Sequence, residues 1–174
     1  MIRFKFTFDK DEEQEWLNDY CRQGWAMTSF FAGFYTFVPC QPGEFIYQLD
    51  LLSGAGFRAD DYEGYVLFMH ETGVEVVQRW TRWVYLRKRA DEGPFEVYTD
   101  LDSQIALYQR IRQLFLWVLG IECCCSISVW TGLMRDDGLL FRCLAAVYVL
   151  MIGAILRTIW RCARRITDLE RQRQ

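Results

Sequence analysis

The chain holds 174 residues, enough for one ordinary domain and a little more. Its formal net charge of −3 hides two unlike halves: residues 1–100 carry ten Lys and Arg against seventeen Asp and Glu, while residues 101–174 carry ten Arg, no Lys and six acids. The acidic first half argues against direct nucleic-acid contact, and the apolar blocks of the second exclude an ordinary soluble domain there.

From the start of the chain, Ile2, Phe4, Phe6 and Phe8 alternate with Arg3, Lys5 and Thr7, the period-two pattern of a half-buried strand. The acidic run Asp9 to Glu15 opens a helix whose apolar residues Trp16, Leu17, Tyr20 and Cys21 recur at three-to-four spacing until Gly24 ends it. Two strands follow, Trp25–Phe31 and Phe34–Val38, joined at Ala32-Gly33 as a tight hairpin. The order then repeats: a strand at Phe45–Leu51, a helix over Asp60–Glu71 begun by Asp60-Asp61, and a hairpin of Val74–Trp80 with Trp83–Arg87. A shift of 49 lays Gly24 on Gly73, Trp16 on Tyr65, Met27 on Val76, Phe31 on Trp80 and Phe34 on Trp83. The leading strands align as FKFTFD over FIYQLD, with a loop insertion around Ser53–Ala59.

This pattern predicts an α+β domain over residues 1–100, built from duplicated β-α-β-β units that form one antiparallel sheet with the helices on one face. Phe4, Phe6, Tyr47, Leu49 and Trp80 are assigned to the core. The opposite face is then expected to carry Lys5, Gln48, Asp50 and Arg79, which with Trp83 form the candidate ligand-binding set. In element order alone the arrangement resembles the bacterial effector-binding domains of the gyrase-inhibitor-like kind, whose halves frame a ligand groove.

After an amphipathic connector at 101–113, two apolar segments at 114–134 and 139–160 have the length of membrane-spanning helices, with Arg135-Asp136-Asp137-Gly138 as the turn between them. Eight arginines flank the ends of the pair away from that turn, and two lie beside it. By the positive-inside rule this predicts a multi-pass protein of the cell membrane with both termini cytoplasmic and a basic cytosolic tail at 161–174 lying along the inner surface. Two charges fall inside the spans. Arg142 can snorkel outward, whereas Glu122 is expected to be protonated or hydrogen-bonded to Ser126 or to a second copy. Gly120, Cys124, Ser128 and Gly132 recur every four residues and are expected to be the face of the first span that meets the second, leaving Glu122 for a homo-oligomer or another membrane partner.

The strings PCQPGEFIYQLDLL (39–52), WTRWVYLRKR (80–89) and GPFEVYTD (93–100) resemble the DUF2812 domain, a bacterial family of uncharacterised function. Members commonly carry C-terminal membrane spans and are often encoded beside PadR-type transcription regulators, so the resemblance implies a regulatory or sensory role and supplies no catalytic residue. Thr81-Arg82 stands where relatives commonly have Gly, which predicts a different turn.

No enzyme chemistry is expected: there is no phosphate loop or nucleophile elbow, and His70, the one histidine, has no ligand-spaced companion. No metal or cofactor is expected either. Four of the seven cysteines lie in the apolar blocks, none has zinc spacing, and the absence of a secretory signal at the start makes disulfides unexpected. The reading is a membrane-anchored cytosolic module that binds a small-molecule effector or a protein partner, such as a transcription regulator or a transporter. The alternative is a non-sensory scaffold or assembly factor acting through its hairpin. A deep pocket favours the first and a flat exposed aromatic patch the second.

Overall fold

The computed structural model describes residues 1–52, 59–135 and 138–173. The chain divides into two compact units, Met1–Thr99 and Asp100–Gln174.

The first unit runs β1 (Ile2–Phe4), α1 (Lys10–Arg22), β2 (Trp25–Phe31), β3 (Phe34–Pro39), β4 (Phe45–Leu51), α2 (Ala59–Glu71), β5 (Glu75–Trp80) and β6 (Trp83–Arg89). Asp9 caps α1 through the Asp11 and Glu12 amides, and acids fill its first turn, so the orphan N–H groups and the helix dipole are both satisfied. The duplication extends to fine detail. A shift of 49 carries the limits of α1 onto those of α2, and Gly24 (φ +86°) onto Gly73 (φ +76°). It also carries the register break between Met27 and Ser29 onto that between Val76 and Gln78. The hairpin turns differ in one respect: Ala32 (φ +47°) and Gly33 (φ +88°) are both left-handed, whereas in the second turn Thr81 (φ +54°) is and Arg82 is not.

Three expectations are corrected. The strands form two antiparallel sheets, β1-β3-β2 and β4-β6-β5, instead of one. No ladder joins β2 to β5; the Gln78 side-chain amide bridges them, accepting from Phe30 N (2.5 Å) and donating to Phe30 O (2.7 Å). The leading strands are also related differently. Ile2 pairs with Thr36 and Phe4 with Phe34, while Leu49 pairs with Tyr85 and Leu51 with Trp83, so Ile2 and Phe4 correspond to Leu49 and Leu51. The FKFTFD alignment relies on residues 5–9, which lie beyond the strand. The loop insertion at 53–58 and the side chain of Asp60 lie outside the described residues.

Finally, the helices do not share one face. Leu17 and Cys21 of α1 pack with Met27, Tyr35 and Phe37 of the first sheet and with Tyr47, Leu49 and Tyr85 of the second. Met69 of α2, flanked by Tyr62 and Tyr65, packs on the opposite side of the second sheet with Val84 and Leu86. Consecutive residues Val84, Tyr85 and Leu86 of β6 are therefore all buried, each large side chain contributing on the order of 1.5–3 kcal/mol. Helix α1 also protects the free edge of β4. The Asn18 amide bonds both Tyr47 N (2.7 Å) and Tyr47 O (3.1 Å), and Gln14 accepts from Leu49 N (3.4 Å), giving the edge the partners a neighbouring strand would supply.

Between the sheets, Glu13 of α1 accepts hydrogen bonds from Tyr35 OH (2.6 Å) and Tyr85 OH (2.7 Å). Burial pushes its carboxyl above the ordinary glutamate range, against the lowering effect of the two phenols and Lys5. A carboxyl raised on folding stabilises the fold below its unfolded pKa, and that contribution is lost as pH rises through the raised value. Glu13→Gln mimics the protonated form and keeps the acceptor oxygen. Thermal melts of the two proteins are therefore expected to coincide near pH 4 and to diverge in favour of the variant towards pH 7.

The second unit is a helical hairpin of α3 (Leu101–Arg135) and α4 (Leu139–Gln172). At ~1.5 Å per residue each helix is ~50 Å long, well beyond the ~30 Å hydrocarbon core. The connector and the tail are thus the first and last turns of these helices, and they pair with each other: Ile105, Leu107 and Ile111 are buried, as are Cys162 and Ile166, and Arg173 bridges Asp102 (3.1 Å). The turn residues Asp136 and Asp137 lie outside the described residues. All seven cysteines are free.

The helix–helix face differs from the expected stripe. Gly120, Cys124 and Ser128 are exposed, whereas Ile111, Phe115 and Ser126 are buried and Val118, Glu122 and Val129 are half-buried. Residues four apart advance ~40° beyond a full turn, so the stripe rotates ~120° between Gly120 and Gly132. Only its last member reaches α4, where a Cβ on Gly132 would lie 2.3 Å from the Phe141 ring. Glu122 therefore faces the hairpin, and the Ser126 hydroxyl donates to Cys123 O (2.8 Å) in its own helix. Arg142 is exposed near the start of α4.

Candidate functional site

Side chains alternate along β4, so Tyr47 and Leu49 face α1 while Gln48 and Asp50 face the other way. Gln48 and Asp50 hold the segment that follows β6. The Gln48 amide donates to Phe95 O and accepts from Val97 N (3.0 Å). Asp50 is 1% exposed and accepts from Tyr65 OH (3.0 Å), Tyr98 OH (3.1 Å) and Leu51 N (2.7 Å). Residues 95–98 thus form a strap pinned to β4, three residues before α3 begins.

Arg79 shares this face, since Asp50 and Arg79 both oppose Val84, whereas Lys5 and Trp83 lie elsewhere. Lys5 sits beside α1, over Trp16 and near Glu12 (3.7 Å). The Arg79 guanidinium lies over the Tyr62 ring, and Trp83 packs against the cluster around α1. The structure gathers three of the five, Gln48, Asp50 and Arg79, on the face that α2 covers, and gives each an internal contact.

The first unit carries a cluster of exposed apolar residues. Ile2 (67%), Phe4 (61%), Phe31 (68%) and Phe34 (52%) lie on one face of the first sheet, since Ile2 opposes Thr36, and Phe34 opposes both Phe4 and Phe31. The Phe4 and Phe34 rings are 5.0 Å apart. Phe4, assigned to the core from the alternation, is thus outside it, as is Phe6 (69%). The corresponding residues of the second repeat are covered: Leu49 and Leu51 are buried, and Trp80 and Trp83 are half-buried. One repeat therefore leaves open the face that the other closes with α1.

A cavity of about 420 Å³ lies where the end of α2 meets β6, lined by residues that include Phe45, His70, Arg87, Lys88 and Glu92. Its Arg87 is already held bidentately by Glu75 (2.8 Å to each oxygen) and lies over Phe45. Among the described residues no group of three His, Cys, Asp or Glu could hold a metal ion.

Comparison at the level of families matches residues 9–119 to DUF2812, described as a protein of unknown function. That is more than half of the chain. The chain belongs to the DUF2812 family. No match is found among the curated proteins or among the solved structures. The DUF2812 match runs from just before α1 through the strap and into α3, so it takes in the start of the hairpin as well as the two repeats apart from β1. Both helices of that hairpin are long and apolar enough to cross a membrane, and they are mostly exposed.

Two features of this DUF2812 domain were not among the expectations from the sequence. The amides Gln14 and Asn18 flank the apolar Trp16-Leu17 pair, and polar amides beside the buried face of a helix signal a backbone to be satisfied. Tyr98 lies within GPFEVYTD, but its bond to Asp50 spans 48 residues and leaves no local pattern.

Proposed function

We propose that this DUF2812 protein is a membrane-anchored regulatory module whose cytosolic domain recognises a protein partner through the open face of its first sheet. The carrying observation is the exposure of Ile2, Phe4, Phe31 and Phe34 beside a repeat whose equivalent face is covered. Contiguous exposed apolar surface on a folded domain marks an interaction site. The chain's own second repeat indicates the chemistry of the occupant: an amphipathic helix presenting aromatic and aliphatic side chains, as α1 does with Trp16, Leu17 and Cys21. A transcription regulator of the PadR type and a membrane transporter are the two partner classes to examine. The strap supplies a route for coupling, because its bonds to Gln48 and Asp50 connect the sheet to the chain entering α3.

Phe34→Ser is expected to reduce cross-linked partner recovered from native membranes about tenfold, as for an aromatic interface anchor, while leaving the melting temperature within a few degrees. Undiminished recovery contradicts the assignment of this face.

The small-molecule reading rests on the cavity beside Phe45, Lys88 and Glu92. It is the second reading because the cavity is modest and its best-placed cation, Arg87, is already paired.

A further inference from the structure

We propose that the outward face of α3, at the inner edge of the membrane, binds the headgroup of an anionic phospholipid. The inference rests on the membrane anchoring proposed above and adds to it a defined site with a defined ligand class.

Gln109, Arg112, Gln113, Leu116 and Trp117 line an open concavity of about 640 Å³. Their spacing of three, four, seven and eight residues puts them on one stripe of the helix. That stripe faces away from α4: Trp117 is 70% exposed and Leu116 49%, whereas Ile111 and Phe115 are buried on the other side. The stripe changes character along its length. If hydrocarbon begins at Leu114, the start of the apolar run, Arg112 lies ~3 Å and Gln109 ~8 Å on the aqueous side, and Trp117 lies ~5 Å inside. Donors therefore occupy the depth of lipid phosphates, and Leu116 with Trp117 the depth of the first acyl methylenes.

The chemistry selects an anion. The Arg112 guanidinium presents a planar fork suited to phosphate oxygens, and among the described residues it forms no ion pair with an acid. The amides of Gln109 and Gln113 offer further donors on either side of it. No acidic residue belongs to the stripe, so the cationic part of a zwitterionic headgroup has no partner there. Helix α4 shows a related pairing, with the Arg164 guanidinium 3.6 Å over the exposed Trp160 ring. Tryptophan beside arginine is the composition expected where a helix leaves the bilayer on its positive side.

The test is native mass spectrometry of the full-length protein released from detergent with phosphatidylglycerol or phosphatidylcholine. Wild type is expected to retain phosphatidylglycerol about fivefold more than phosphatidylcholine, the order of effect of one arginine at an anionic surface. Arg112→Gln is expected to abolish that preference. Arg112→Lys, which keeps the charge, should retain most of it, and Arg171→Gln, exposed near the end of α4, should leave it unchanged. Equal retention of the two lipids by wild type overturns the site, as does an Arg112→Gln protein with undiminished preference. Displacement of the lipid by an equal concentration of glycerol phosphate would show that a phosphate without acyl chains suffices, which also overturns it. Extraction with alkaline carbonate separates the two levels: release of the chain from membranes refutes anchoring, whereas a chain that stays embedded without lipid preference refutes only this site.

Discussion

Asp50→Ala is expected to destabilise the first unit by about 3 kcal/mol, the upper range for loss of a buried hydrogen-bonding hub. Asp50 is 1% exposed and receives two phenols and a backbone amide. Truncation leaves the Tyr65 and Tyr98 hydroxyls without their acceptor and opens a void beneath the strap. Asp50→Asn keeps one acceptor oxygen and should cost far less, about 1 kcal/mol. Thermal melts of the full chain in detergent measure both. Limited chymotrypsin digestion adds a local reading, because release of the strap should speed cleavage at Phe95 and Tyr98. A melting temperature within a few degrees of wild type for the alanine variant would contradict the structural role and return Asp50 to the candidate ligand set.

The second large effect concerns the hairpin. Gly132→Leu places side-chain atoms where the Phe141 ring already stands, 2.3 Å from an ideal Cβ, so the helices must separate or the ring must leave its position. Accumulation of the protein in membranes is expected to fall severalfold. Gly120→Leu and Ser128→Leu fall on the exposed side and should leave the level unchanged; a Cβ on Gly120 meets nothing within 4 Å. Immunoblotting of membrane fractions distinguishes these outcomes. Equal losses from Gly120→Leu and Gly132→Leu would restore the four-residue stripe as the packing face.

That stripe shows what kind of inference the sequence supports. Helix existence and the 49-residue repeat were legible because each rests on local, periodic information: glycine at Gly24 and Gly73, alternating apolar residues, acids at helix starts. The family resemblance was legible for the same reason, in contiguous strings. The rotation of one long helix about its axis was not, because small residues in lipid are compatible with more than one contact face. The arrangement of the two sheets was also hidden. Val84, Tyr85 and Leu86 were expected in a sheet covered on one face, and only the tertiary structure reveals that α1 covers one side and α2 the other. The candidate ligand residues form no open groove for a related reason. Alternation placed Gln48, Asp50 and Arg79 correctly on one face of the second sheet, yet it contains no information on what chain returns to cover that face, and the strap does so from 47 residues away. Phe4 carried the opposite error: an apolar residue in a strand was assigned to the core when its face is the one left open.

The proposed arrangement, a cytosolic domain carried by a membrane hairpin, is tested directly by topology mapping. A fluorescent protein that matures only in the cytoplasm, fused to either end, is predicted to fluoresce in both cases, and alkaline phosphatase inserted between Asp136 and Asp137 is predicted to be active. Fluorescence from only one end, or an inactive phosphatase with both ends fluorescent, would contradict the hairpin.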